Sequence, residues 1–271
     1  MNVDRLPWMS QSRVGPMLRD WRRRRHLSQL GLALDAGISA RHLSFVETGR
    51  SKPSADMVLH LAEQLEVPLR ERNQLLLAAG YAPHFGARAL DDPELAPVRD
   101  ALGHVLAGHE PYPAIAVDRC WTLVASNSAL DPLLEGVAEW LLQPPVNCVR
   151  LALHPDGLAP RILNLGEWRA HLLERLDRQI ALTADEALRD LRDEVSSYPG
   201  PDFAGPLAPS GDVMVQLRLK RADGDELAFF STLTTFGTAV DITVAELSIE
   251  AFFPADANTA AALTGAAAVA A

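Results

Sequence analysis

Cysteine is almost missing from this chain. Cys120 and Cys148 are the two in 271 residues, far apart and in no CxxC pattern. That excludes a disulfide framework and the paired ligands of a zinc site, and it fits a reducing compartment. Each thiol is either an oxidation sensor or a small buried hydrophobe. No uncharged apolar run reaches the roughly eighteen residues that a membrane span needs. The opening Met1-Asn2-Val3-Asp4-Arg5 lacks the apolar stretch of a secretory signal, so the cytoplasm is the expected location. Catalytic patterns are missing as well. The histidines form no HExxH, none sits in a nucleophile motif, and no glycine-rich phosphate loop occurs. His154-Pro155-Asp156 has the composition of a turn, and Asp185-Glu186 and Asp193-Glu194 suit solvated helix faces. Neither an enzyme nor a metal or cofactor protein is expected.

Positive charge is scarce overall but not everywhere. The net charge is −10, which taken alone disfavours nucleic acid. Residues 1–53, however, hold ten Lys and Arg against four Asp and Glu, whereas residues 81–271 hold thirteen against twenty-seven. Phosphate contact is local, so a basic end can bind DNA while an acidic body stays in solvent.

The basic end reads as five short helices over residues 16–80. Met17, Leu18 and Trp21 form an apolar stripe behind Pro16, followed by Arg22 to Arg25, which suit phosphate contact or a solvated face. Ser28, Ser39 and Ser54 each precede a helical segment and suit N-caps. Gly37, Gly49 and Gly80 suit the stops. Leu43 and Val46 point inward from the third helix, and Val58, Leu61, Ala62 and Leu65 from the fourth. A short helix, a tight glycine turn and a second helix form the arrangement that enters a major groove. Ala40, Arg41 and Ser44 are then left on the reading face, with Arg41 able to grip guanine in bidentate fashion. Ser28, Gln29 and Ser39 lie at the helix starts beside phosphate. Arg50 and Lys52 follow in the next loop, placed for the DNA backbone. Phe45 follows on the same helix, to pack on sugar-phosphate or a thymine methyl, or to fill a gap.

Ser28-Gln29, Ala36-Gly37-Ile38-Ser39, Glu47-Thr48-Gly49-Arg50, Pro53-Ser54 and Leu75-Leu76-Leu77-Ala78-Ala79-Gly80-Tyr81 together resemble the lambda-repressor-like, or XRE, family of regulators. The resemblance implies a helix-turn-helix domain over residues 1–81 with double-stranded DNA as partner. A helical bundle for protein contacts is the alternative reading of the same pattern.

Residues 82–97 are rich in proline and read as a linker. Beyond them Ala114 to Val117 is a strand, Asp118-Arg119 a turn and Trp121 to Ala125 a second strand, with Asn127 as a helix cap. Trp168, Leu172, Leu176 and Ile180 repeat every four residues on one helix, and a further helix runs from about Asp185 to Ser196. Val213, Val215, Leu217 and Leu219 alternate with polar residues. Ala222-Asp223-Gly224-Asp225 makes a hairpin turn, and Leu227 to Phe236 and Ile242 to Phe253 add two strands. This pattern gives an α+β domain around an antiparallel sheet over residues 98–255, with a frayed Ala-rich tail at 256–271.

Val117-Asp118-Arg119-Cys120-Trp121-Thr122-Leu123-Val124-Ala125-Ser126-Asn127 resembles the opening hairpin of a PAS-like domain, and in particular the ligand-binding domain of MmyB-like regulators. Pro113, the Asn147 to Leu153 stretch and the late β segment fit the same pattern, while Ser196 to Leu207 departs from it. The resemblance implies an apolar cavity and a fatty-acid-like ligand. Trp121, Leu217, Phe229, Phe236 and Phe252 are the candidate lining, with Arg150 or Arg218 to anchor a carboxylate. The expectation is a cytoplasmic bacterial transcription regulator that binds operator DNA as a homodimer and senses a small apolar ligand. The competing expectation is a DNA-binding protein whose sheet domain recruits another protein and holds no ligand.

Overall fold

The computed structural model describes residues 14–201, 203, 214–221 and 224–270, without the side chains of 266–270. It divides into two compact units, one of the residues up to Ala87 together with Ala181–Thr183 and Val240–Ile242, and one of the remaining residues from Arg88 on.

The first unit is five helices: α1 (Val14–Arg24), α2 (Gln29–Asp35), α3 (Ala40–Glu47), α4 (Ala55–Gln64) and α5 (Leu69–Ala78). Three of them begin as the serines predict. Ser28 Oγ accepts from Gly31 N, Ser39 Oγ from His42 N and Ser54 Oγ from Met57 N, each cap worth about 0.5–2 kcal/mol. Gly37, Gly49 and Gly80 take φ of +64°, +73° and +83°, a region that costs other residues strain. Val14, Leu18, Trp21, Leu43, Val46, Val58, Leu61 and Leu65 fill one core. Gly15 lets α1 lie directly on the end of α3, since a Cβ there would sit 2.4 Å from Val46 O. Arg22 departs from both expectations for the basic run. It is buried, and it binds Glu47 through Nε and Nη2 at 2.6 and 2.9 Å. Arg25 binds Leu65 O and Glu66 O. Arg23 and Arg24 keep the exposed face.

The second unit is a five-stranded antiparallel sheet of order β2-β1-β5-β4-β3 with helices on it. The elements are α6 (Ala96–Gly108), β1 (Ala114–Val117), β2 (Leu123–Ser126), α7 (Cys148–Leu153), α8 (Leu165–Thr183), α9 (Glu186–Ser196), β3 (Leu217–Lys220), β4 (Glu226–Thr235), α10 (Ile242–Ala245), β5 (Ser248–Pro254) and α11 (Ala257–Ala270). Side chains alternate across the sheet. Ile115, Val117, Leu217, Leu219, Leu227 and Phe229 face a core shared with Trp168, Leu172, Leu176, Leu188, Leu191 and Val195. Ala114, Ala116, Leu247 and Ile249 face α6 through Leu102 and Leu106.

Five features differ from the sequence expectation. Helix α6 was hidden because Pro97 reads as a breaker, yet at the first turn its missing N–H costs nothing. Trp121 lies outside β2, at a φ of +65°, in a turn held by Asp118 Oδ1, which accepts from the amides of Cys120 and Thr122. Asn127 stands at the cap position of the 3-10 turn Ser128–Leu134 but makes no side-chain cap. Its buried amide instead accepts from Ala114 N and donates to Leu106 O and Tyr112 O. Ile242 to Ala245 is helical because pairing on β5 begins only at Ser248, opposite Val117 and Thr235. The β-branched residues before Ser248 have no partner strand. The Ala-rich end is helix α11, as alanine's propensity favours. Asp256 Oδ1 accepts from Thr259 N, Thr259 Oγ1 accepts from Ala228 N, and Ala262 and Leu263 pack on the core. The β3–β4 hairpin forms as expected, with Lys220 opposite Glu226 and Gly224 at φ +97°. Val213, Ala222 and Asp223 of that expectation lie outside the described residues.

Candidate functional site

The N-terminal turn of α3 presents Arg41 to solvent, while Ala40 and Ser44 are half-buried and Ala40 packs against the core. The face is therefore narrower than expected, and Arg41 is its most prominent group. Phe45 lies one turn further on. The guanidinium carbon of Arg41 sits 5.3 Å from its ring centroid and that of Arg50 5.9 Å, both within cation–π range. Phe45 O also accepts from the amides of Arg50 and Ser51, fixing where the loop leaves the helix. Lys52 Nζ sits 5.1 Å from the Tyr81 ring, and Tyr81 OH donates to Pro53 O. Ser28 and Ser39 spend their hydroxyl oxygens on caps. Gln29 Nε2 donates to Glu47 Oε2 at 2.7 Å, so the side chain at the start of α2 is oriented by the buried ion pair.

In the second unit, a partly open cavity of about 80 Å³ lies beneath the sheet. Trp121, Leu217 and Phe252 line it, as the sequence suggested, together with Ile115, Leu123, Leu130, Cys148, Trp168 and Leu172. Phe229 stands behind the wall, packed edge-on against Phe252 at 6.3 Å. Phe236 does not join them. Seven residues from Phe229, it falls on the opposite face by the pleat's period of two and packs with Leu247 and Ile249. A more open depression of about 420 Å³ lies on that other face, between α6 and β2.

Neither arginine proposed as an anchor reaches the cavity. Arg218 alternates outward between Leu217 and Leu219 and pairs with Glu226 through Nε and Nη2. Arg150 binds both oxygens of Glu194 at 2.6 and 2.7 Å, and that guanidinium holds the Glu194 carboxyl down at about 2. The charged group in the cavity wall is Glu250, buried on β5. Its Oε1 accepts from Arg175 Nη1 at 2.9 Å and from Ser231 Oγ at 2.8 Å. Arg175 in turn lies 4.2 Å over the Trp121 ring, and Trp121 Nε1 donates to Gln179 Oε1 at 2.7 Å. The sequence held one sign of this: Glu250 interrupts the apolar stretch Ile249 to Phe253 on the inward parity. Trp168 reads as plain core, yet among the described residues its buried Nε1 meets no hydrogen-bond partner.

Cys148 is partly buried. Burial, aided by the negative charges of Glu250 and Asp118, pushes its thiol up to about 12, and the thiolate is the reactive form. Cys148 is expected to resist iodoacetamide at neutral pH in the folded chain and to react once denatured. Peptide mass spectrometry reads both states, and labelling without denaturant would show the thiol to be open.

Among the described residues no helix is long and apolar enough to cross a membrane, and no group of three His, Cys, Asp or Glu side chains is placed to hold a metal ion. Residues 18–72 match the helix-turn-helix family. Residues 98–265, more than half the chain, match the MmyB-like transcription regulator ligand binding domain. No curated protein matches the chain. A solved structure of an RNA-binding light-oxygen-voltage receptor aligns at 14% identity and a TM-score of 0.27, covering 96% of this chain and 64% of that one. This chain thus spans less than two thirds of that receptor. A DNA-binding helix-turn-helix domain stands ahead of an α+β ligand-binding domain, and the chain belongs to the MmyB-like transcription regulators.

Proposed function

We propose that the chain is a cytoplasmic regulator that reads operator DNA through α3 as a homodimer and responds to a small apolar ligand of fatty-acyl type. The observation that carries the DNA half is Arg41, exposed at the start of a capped recognition helix. In a homodimer the half-sites lie one helical turn apart, about 34–36 Å. Arg41→Ala is expected to cost roughly 1–3 kcal/mol on the preferred operator and to relax base choice at one position per half-site. Anisotropy titrations at fixed salt, against an operator selected from random DNA and a scrambled duplex, measure this. Equal losses on both duplexes would move Arg41 from base reading to phosphate contact.

The cavity beneath the sheet supports the ligand half. Its 80 Å³ is small beside the roughly 300–1,000 Å³ of typical ligand sites. An acyl chain therefore enters only if the wall moves. The half-buried Leu130 and Leu134 are wall residues carried by a 3-10 turn, Ser128–Leu134, rather than by a strand or an α-helix. A ligand that binds the opened form and not the collapsed one shifts the balance between them, which is what regulation requires. Native mass spectrometry before and after organic extraction tests this. A lipid-sized mass removed by extraction supports the sensor. A folded chain with no such mass, before or after incubation with acyl compounds, supports the protein-recruiting module instead.

A further inference from the structure

The recognition helix carries an aromatic ring that lies outside the core. Ala40, Leu43 and Val46 of α3 join the apolar core of the first unit, whereas the half-buried Phe45 stands apart from it. Its ring meets charge instead. The guanidinium carbons of Arg41 and Arg50 lie over it, 5.3 and 5.9 Å from its centroid. Local geometry brings the three together. Arg41 and Phe45 are four residues apart and so share one helix face. Gly49, at a φ of +73°, turns the chain back on the helix end, and Arg50 N donates to Phe45 O at 2.8 Å. Both arginines are exposed, and among the described residues neither guanidinium meets a carboxylate.

The kind of partner matters for binding. A carboxylate would occupy the donors of an arginine and have to be displaced before that side chain met DNA. A ring attracts the cation through its quadrupole and takes none of the guanidinium's N–H donors, which stay available for a base edge or a phosphate. Holding a long side chain in place beforehand also removes the cost of ordering it on binding, a few-fold to about tenfold in affinity for each. We infer that Phe45 is a positioning residue of the DNA interface: it holds Arg41 for a base edge and Arg50 for the adjoining phosphate, and so sets base choice without itself touching a base. This inference rests on the proposed reading of operator DNA through α3. It replaces direct packing of Phe45 on DNA with action through the two arginines. One ring thereby ties base readout to backbone register, because displacing it frees both side chains together.

The test is anisotropy titration of the full chain on the selected operator and on a scrambled duplex, at one fixed salt concentration low enough to measure the weakest variant. Phe45→Leu keeps an apolar side chain and removes the ring. The ordering costs return, so binding to the operator is expected to weaken by about tenfold. Both charges remain, so the scrambled duplex, held by phosphate contact, should lose less than about threefold. Phe45→Met, also without a ring, is expected to behave as Phe45→Leu does. Phe45→Tyr keeps a ring that attracts cations and should stay within about twofold of the natural chain on both duplexes. The deciding measurement is Phe45→Leu made together with Arg41→Ala and Arg50→Ala. A residue that acts through the arginines has nothing left to position there, so the leucine should add less than about twofold to their loss. A leucine effect as large as in the natural background would mean that the ring meets DNA itself, and would overturn the positioning role. Operator binding by Phe45→Leu equal to that of the natural chain would overturn it as well. A natural chain that holds both duplexes equally would overturn base reading by α3, and this inference with it. Thermal unfolding of each variant, expected to match the natural chain because Phe45 lies outside the core, separates lost binding from lost fold.

Discussion

Glu47→Ala is expected to destabilise the DNA-binding unit by about 3–5 kcal/mol, the range for removing one partner of a buried ion pair. The Glu47 side chain is fully buried at the C-terminal end of α3, where it receives Nε and Nη2 of Arg22 on α1 and Nε2 of Gln29 on α2. Arg19 adds a looser contact at 3.6 Å. Three helices therefore converge on one carboxylate, and alanine leaves the buried Arg22 cation with only Leu27 O to meet it. The pair's net stabilisation is a smaller quantity than this loss, because desolvating both ions opposed its formation. Burial alone would push the Glu47 carboxyl up. The hydrogen bonds from Arg22 and Gln29, with the charges of Arg22 and Arg19, outweigh it and hold the carboxyl below its ordinary value.

The sign of the pH effect follows from that depressed value. Stability from Glu47 is complete above the unfolded carboxylate pKa of about 4.3 and drains away as pH falls through the lower folded value. The gap between the natural chain and Glu47→Ala should therefore be constant near neutrality and shrink under acid. Urea unfolding followed by hydrogen exchange in α1 and α3 reads it. A gap below about 1 kcal/mol, typical of a surface pair, would mean that water reaches Arg22 and that the carboxylate does not tie the three helices together.

The first unit was legible because its instructions are local. A serine cap needs only the amide three residues on, and a left-handed turn needs only its glycine, so Ser28, Ser39, Ser54, Gly37, Gly49 and Gly80 could be read one at a time. Arg22 could not. Its partner is twenty-five residues away, and nothing in a run of four arginines says which one turns inward. In the second unit, alternation was the reliable guide where it was followed strictly. Leu217 and Leu219 inward put Arg218 outward, and the odd separation of Phe236 from Phe229 put those two rings on opposite faces. Selecting Arg218 and Phe236 for their chemistry overrode a parity already visible in the sequence. Placing the charged group of the wall needed three elements at once: Glu250 on β5, and its partners Ser231 on β4 and Arg175 on α8. The register of β4 against β5 makes Glu250 and Ser231 neighbours, and the packing of α8 on the sheet adds Arg175.

Arg175→Met is expected to cost the sensor unit about 3–5 kcal/mol, again the loss of one member of a buried pair. Methionine keeps much of the apolar stem over Trp121 but leaves the Glu250 charge with Ser231 as its remaining partner. The informative measurement is the double variant Arg175→Met with Glu250→Gln, compared with both single variants by denaturant unfolding. If the cost is an unpaired buried charge, neutralising Glu250 removes it, and the double variant recovers most of the stability lost by Arg175→Met. Such coupling is expected for residues in direct contact. If the double variant is as unstable as Arg175→Met, the loss comes from the cation and packing on Trp121 rather than from Glu250. The outcome also bears on sensing. A strongly coupled pair would mean that Arg175 is what allows a charged carboxylate to persist in a wall otherwise shaped for hydrocarbon.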